Sequence, residues 1–104
     1  MIDIDDIRAA HQRIRGHVRR TPVIAVEPDA LGLGFPVAMK LEFLQVTGTF
    51  KARGAFNTLL AGPVPPAGVC AASGGNHGIA VAHAAARLGL PARIFVPEIS
   101  SPAK

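Results

Sequence analysis

Two short stretches of this chain carry residue types that could do chemistry, and each lies where a helix is expected to begin. The first is Thr49-Phe50-Lys51-Ala52-Arg53-Gly54-Ala55, which puts a lysine at the head of an apolar-striped segment. A cation there opposes the positive end of the helix dipole. The same field, with Phe50 as an apolar neighbour, favours the uncharged amine, a nucleophile able to form a Schiff base with a carbonyl compound. An ordinary exposed lysine gives the same local pattern, so the residues alone leave both readings open. The second stretch is Ser73-Gly74-Gly75-Asn76-His77-Gly78, a glycine-rich turn between an apolar run and a segment of small residues. Backbone N–H groups at such a turn suit a carboxylate or a phosphate, and Ser73 and Asn76 add side-chain hydrogen-bonding groups. A plain capped turn, with Ser73 or Asn76 as the cap, uses the same residues. The glycines fit neither the dinucleotide nor the Walker pattern.

Other candidate residues point to less. His11 and His17 are six apart, as are His77 and His83, and a single cysteine cannot build a structural zinc site, so no metal is expected. Cys70 lies in the apolar run Val69-Cys70-Ala71-Ala72 and reads as a buried structural thiol; an unpaired cysteine also fits a reducing compartment. Arg13, Arg15, Arg19 and Arg20 supply much of the +4 formal charge. No aromatic residues interleave them for base stacking, so they read as a solvated helix end and not as a nucleic-acid surface. The acidic start lacks the order of a signal peptide, and no apolar run approaches the ~20 residues that span a bilayer. Neither a nucleic-acid nor a membrane partner is expected, and the location reads as cytoplasmic.

The elements that must position the two stretches follow from periodicity. Asp3 is a cap for a first helix, in which Ile4, Ile7, Ala10 or His11, Ile14 and Val18 recur at helical spacing until Gly16 to Arg20. Val23 to Val26 and Val37 to Leu41 are strand candidates, separated by a Pro- and Gly-containing loop. After the loop Gln45 to Gly48, a helix is expected from Thr49 or Phe50 to Leu60 or Ala61, closed by Gly62-Pro63. Gly68 to Ala72 reads as a buried strand, Asn76 to Leu88 as a helix closed by Gly89, and Ala92 to Val96 as a last strand. The alternation predicts an α/β fold with a parallel sheet. The division expected is a helix plus edge segment over 1–36 and a βαβαβ core over 37–104.

Together and in this order, the two stretches resemble signatures of the fold-type II pyridoxal-phosphate enzymes, the tryptophan synthase beta family. The threonine/serine dehydratase and serine racemase branch is the most similar. Arg20-Thr21-Pro22 and Lys40-Leu41-Glu42 also match that branch, and the resemblance runs from about Ile4 to the last residue. It implies a parallel-sheet three-layer sandwich of the tryptophan synthase beta type, present only in part. It further implies pyridoxal 5'-phosphate as cofactor, with Lys51 holding it through a Schiff base and later moving the α-proton. Phe50 would lie beside the ring and Asn76 would hydrogen-bond its phenolic oxygen. Ser73 and Gly74, with Thr49 and His77 near them, would hold the substrate carboxylate.

The reaction so implied is β-elimination from a small hydroxy amino acid, L-threonine or L-serine, giving a 2-oxo acid and ammonia, in a parent enzyme expected to be a homo-oligomer. Serine racemases of the branch carry a serine where Gly74 stands, and glycine has no proton to deliver, so elimination is favoured over racemisation. Cysteine-synthase-type members usually have Thr in place of His77 and an acid in place of Ala52. Family members are several times longer than 104 residues. Ser101-Pro102-Ala103-Lys104 reads as the entry to another helix, and the chain as an amino-terminal portion, inactive alone, of such an enzyme. The alternatives are a serine racemase, another β-replacement enzyme of the family, or a non-catalytic α/β binding module.

Overall fold

The computed structural model describes residues 1–102. Helix α1 spans Ile4–Ile14 and begins in a capping box: the Asp3 carboxylate accepts from the N–H groups of Asp5 and Asp6, and Asp6 reaches back to the Asp3 N–H. Of the apolar stripe expected on α1, Ile14 is buried and Val18, beyond the helix, packs on the core. Ile4 and Ile7 remain 57% exposed, because α1 meets its neighbour only through its later turns.

Strands β1 (Val23–Val26) and β2 (Val37–Lys40) pair antiparallel, Val23 opposite Lys40 and Val26 opposite Val37. This corrects the expected βαβαβ core over 37–104. The ten-residue loop between them is long enough to turn the chain back, so β2 joins β1 and not the later strands. Helix α2 (Lys51–Ala61), strand β3 (Val69–Ala72), helix α3 (Asn76–Arg87) and strand β4 (Ala92–Phe95) follow. β3 and β4 are parallel, in register Val69–Ala92 to Ala72–Phe95, with α3 as their crossover. The fold is α/β, and its parallel part is this βαβ unit.

The helix ends follow local chemistry. α3 closes in a Schellman arrangement: Gly89 has φ +69°, its N–H donates to Ala86 O, and the Leu90 N–H donates to Ala85 O. Where β3 begins, Gly68 has φ +84°, and a Cβ there would strike the backbone oxygen of Pro91. Only glycine lets the chain enter β3 that close to the turn before β4.

The core lies between α2 and α3 and is built from small residues. Ala52, Ala55, Ala80, Ala84 and Ala85 are buried, so the two helices approach closely around Phe56, which is 1% exposed. His17 stacks on the Phe56 ring at 5.1 Å and His83 meets it edge-on at 6.0 Å. Two of the four histidines are thus explained by packing. The radius of gyration is 16.5 Å, against about 13 Å for a closed domain of this length. Phe43, Phe50 and Phe95 are each more than half exposed. No helix among the described residues is long and apolar enough to cross a membrane. The helix entry expected at Ser101 to Lys104 lies partly outside the described residues, which exclude Ala103 and Lys104.

Candidate active site

Lys51 is the first residue of α2, two positions later than the earliest start expected and one later than the other. Phe50 precedes it as the cap, and the Lys51 N–H points to Thr49 Oγ1 at 3.4 Å. The side chain of Lys51 is exposed and makes no ion pair among the described residues. Its Nζ stands 5.2 Å from the centre of the Phe50 ring, within cation–π range.

The start of α2 is held from behind by a polar knot. Glu42 accepts a forked pair of bonds from Arg53, at 2.8 and 2.7 Å, and a third bond from the Thr21 hydroxyl. Lys40 Nζ donates to Thr21 O at 3.0 Å and lies 3.9 Å from Glu42. The Arg53 guanidinium, helped by Thr21, outweighs burial and holds the Glu42 carboxyl down at about 2. Glu42 reciprocally pushes Arg53 up. One turn further on, Gln45 is 2% exposed and clamps residue 19 from both sides: its Oε1 accepts from the Arg19 N–H, and its Nε2 donates to Arg19 O. Sequence reasoning missed both groups. The matches at Thr21 and Glu42 marked the positions, but nothing in the spacing paired Glu42 with Arg53, eleven residues on.

Between Gln45 and Thr49 the chain makes a tight bend. Thr47 takes φ +64°, unusual for a β-branched residue, and Gly48 takes φ +73°. The buried Oγ1 of Thr47 has no hydrogen-bond partner among the described residues. The expected loop is therefore a strained double turn that aims Thr49 and Phe50 into α2.

The second stretch forms the β3–α3 turn. Gly75 is the cap of α3, and no side chain caps it. Ser73 Oγ instead accepts from the Gly75 N–H at 3.2 Å, inside the turn. The first intrahelical bond runs from the Ile79 N–H to Gly75 O, so the N–H groups of Asn76, His77 and Gly78 have no protein acceptor among the described residues. A Cβ at Gly78 would lie 2.7 Å from Ser73 O and 2.9 Å from an Ile94 methyl, so a glycine is required for α3 to sit this close to β3 and β4. A Cβ at Gly74 would strike the hydroxyl of Ser100.

The two stretches meet across one cleft of about 470 Å³. Phe50 and Lys51 line it from α2, His77 and Val81 from α3, and Cys70 and Ala71 from β3. Lys51, Phe50 and His77 are thus brought together. Thr49, Ser73, Gly74 and Asn76 stand beside the cleft in sequence but do not line it. Gly54 and Thr58, which do line it, were not singled out in the sequence; they lie on the Lys51 face of α2 at helical spacing. Cys70 corrects an expectation: the thiol is exposed, because alternation along β3 turns it away from the face that α3 covers.

Comparison with known proteins gives this geometry a family. Residues 14–104 match the family model described as "Pyridoxal-phosphate dependent enzyme". Phenylserine dehydratase of Ralstonia pickettii is 44% identical over 104 residues, covering 98% of this chain and 32% of that protein. L-threonine ammonia-lyase of Geobacter sulfurreducens is 43% identical over 100 residues, covering 94% of this chain and 25% of that protein. The crystal structure of a pyridoxal 5'-phosphate-dependent aspartate racemase superposes with a TM-score of 0.87 at 37% identity, covering 99% of this chain and 34% of that one. The chain therefore spans between a quarter and a third of the length of these relatives. A lysine at one helix start shares a cleft with His77 at the start of another, on a fold shared with such enzymes, and the chain belongs to the pyridoxal-phosphate dependent enzymes.

Proposed function

We propose that the protein carrying this chain catalyses β-elimination from a small hydroxy amino acid, L-threonine or L-serine, giving a 2-oxo acid and ammonia. The observation that carries the reading is the cleft in which Lys51 and Phe50 of α2 face His77 of α3. The donor set fits pyridoxal phosphate: an amine without an ion pair for its aldehyde, an aromatic face beside that amine, and three unspent backbone N–H groups for an anion. When bound, the cofactor supplies a carbonyl for amines and a sink for the electrons released at the substrate α-carbon.

The chain's own residues divide the remaining work. Lys51 Nζ holds the cofactor and, once the substrate amine has taken its place, accepts the α-proton and passes it toward the departing β-hydroxyl. Phe50 covers one side of the ring and keeps water from it. Asn76, with no side-chain bond among the described residues, is available to the ring's phenolic oxygen. The turn Ser73-Gly74-Gly75, at the positive end of α3, receives the substrate carboxylate, with Thr49 and His77 at its margins. Glu42 and Arg53 act at a distance, by fixing where α2 starts.

Relatives of both kinds, ammonia-lyases and a racemase, share the fold. Gly74 favours elimination, since racemisation needs a second proton-bearing group on the far face of the cofactor and glycine has none. Incubating the full-length protein with L-threonine and with L-serine, and measuring 2-oxobutanoate and pyruvate, tests the reading. Absence of both keto acids from cofactor-loaded protein refutes it. Borohydride reduction followed by peptide mapping should place the cofactor label on Lys51.

A further inference from the structure

The four arginines expected to form a solvated helix end do not behave alike. Arg13 turns to Asn57 of α2, and Arg8, further up α1, pairs with Asp5. Arg15, Arg19 and Arg20 instead converge with Lys40 and Arg53 around a cleft of about 570 Å³, whose remaining lining is His11 and Val18. Glu42 is the one carboxylate that touches any of these cations among the described residues. The whole formal charge of +4 resides there, because the six other basic and six other acidic side chains of the chain balance.

This cleft is built and not merely basic. Gln45 grips the backbone of Arg19 while the Arg19 side chain donates to Leu44 O. Glu42 orients Arg53, and Thr21 O orients Lys40. Arg15 and Arg20 keep all their side-chain donors unspent among the described residues. Gathering five like charges around one cleft is unfavourable unless an anion offsets them. Guanidinium forks match the planar or tetrahedral oxygens of carboxylate and phosphate two at a time. Among the described residues no phenylalanine lines the cleft, and the single ring of His11 is a poor platform for successive bases, which disfavours a nucleic acid.

We infer that this cleft is a binding site for a small polyvalent oxyanion, a phosphate or a polycarboxylate, separate from the Lys51 cleft. Lys51 does not line it. The test uses the full-length protein saturated with cofactor and reduced with borohydride, so that the cofactor phosphate cannot exchange. Inorganic diphosphate and citrate are titrated separately by calorimetry at low ionic strength. One binding event per chain is expected, weakened about tenfold or more in Arg15→Gln/Arg20→Gln and weakened in all forms by roughly 0.15 M potassium chloride. The control Arg87→Gln/Arg93→Gln should bind as the unaltered protein does, and the near-ultraviolet absorption of the reduced cofactor should be the same throughout. Binding of diphosphate alone identifies a phosphate site, of citrate alone a carboxylate site, and either supports the inference. If the double variant unfolds early, Arg20→Gln alone replaces it, and an unchanged affinity in that variant counts against the site. No heat from either anion, equal affinity with and without Arg15 and Arg20, or preferential retention of single-stranded DNA overturns it.

Discussion

Removing the charge of Glu42 while keeping its shape tests how the start of α2 is held. In Glu42→Gln one oxygen still faces Arg53, but the forked, charge-assisted pair is lost and the guanidinium keeps its charge without a counter-ion. The sign of the pH dependence follows from the carboxyl lying at about 2 in the folded chain against an ordinary 4.5. A depressed carboxyl stabilises the fold fully above its unfolded value, and that contribution fades as pH falls from about 4.5 toward 2. The whole displacement corresponds to roughly 3 kcal/mol. Both partners stay partly wet, Glu42 with 18% and Arg53 with 27% of the side chain exposed. Solvent screening at such exposure brings the expected contribution to about 1–2 kcal/mol.

Urea unfolding of the full-length protein and of Glu42→Gln, at pH values from about 7 down to about 3, measures this directly. The variant should be less stable by about 1–2 kcal/mol near neutrality, and the gap should narrow on acidification as Glu42 of the unfolded chain takes up a proton that the folded carboxyl still refuses. A gap that stays constant with pH would mean that shape, and not the carboxylate charge, anchors Arg53. A gap that widens on acidification would refute the assignment outright.

Other perturbations probe the site and the core separately. Lys51→Ala should abolish keto-acid formation and the visible absorption of bound cofactor while leaving the unfolding midpoint nearly unchanged, since its side chain is exposed; residual turnover by a cofactor-loaded variant would remove Lys51 from the mechanism. Phe56→Ala empties the space between α2 and α3 and should cost about 3–5 kcal/mol, read from denaturant midpoints; a loss below about 1 kcal/mol would mean the helices do not rely on that ring. Gly78→Ala forces a methyl against Ser73 O and should lower both stability and cofactor affinity, with fluorescence titration of the cofactor as readout; unchanged affinity would detach the turn from anion binding. Thr47→Gly relieves a left-handed β-branched residue and an unpartnered buried hydroxyl, so it should raise stability by about 1 kcal/mol; a loss of stability would show that the Thr47 side chain holds the bend.

What could be read from the sequence, and what could not, divides by the range of the interactions. Asp3 and Gly89 mark helix boundaries through bonds that close within one turn, and the start of α1 and the end of α3 lie one and two residues from them. The pairing partner of β2 depended on whether the loop from Glu27 to Pro36 brought it back to β1 or sent it on toward β3, and alternation of apolar residues is silent on that choice. The knot around Glu42 was invisible for the same reason: Thr21, Lys40 and Arg53 look like unrelated surface residues until three elements meet.

The two clefts sharpen the point. The Lys51 cleft announced itself, because its lysine and its glycine turn each break a local rule, a cation at a helix start and two adjacent glycines in one bend with a third just inside the next helix. The cationic cleft broke no local rule, since arginines near the end of a helix are favourable wherever they point. Only the fold reveals that Arg15, Arg19 and Arg20 turn toward Lys40 and Arg53 while Arg13 turns away. Arg53 stands at the junction, two residues past Lys51, its forked bond to Glu42 facing one cleft while its helix supplies the amine of the other. An anion bound beside Arg53 would compete with Glu42 for the donors of the Arg53 guanidinium. Occupancy of the second cleft would therefore be felt at the start of α2, the element on which the chemistry of the first depends.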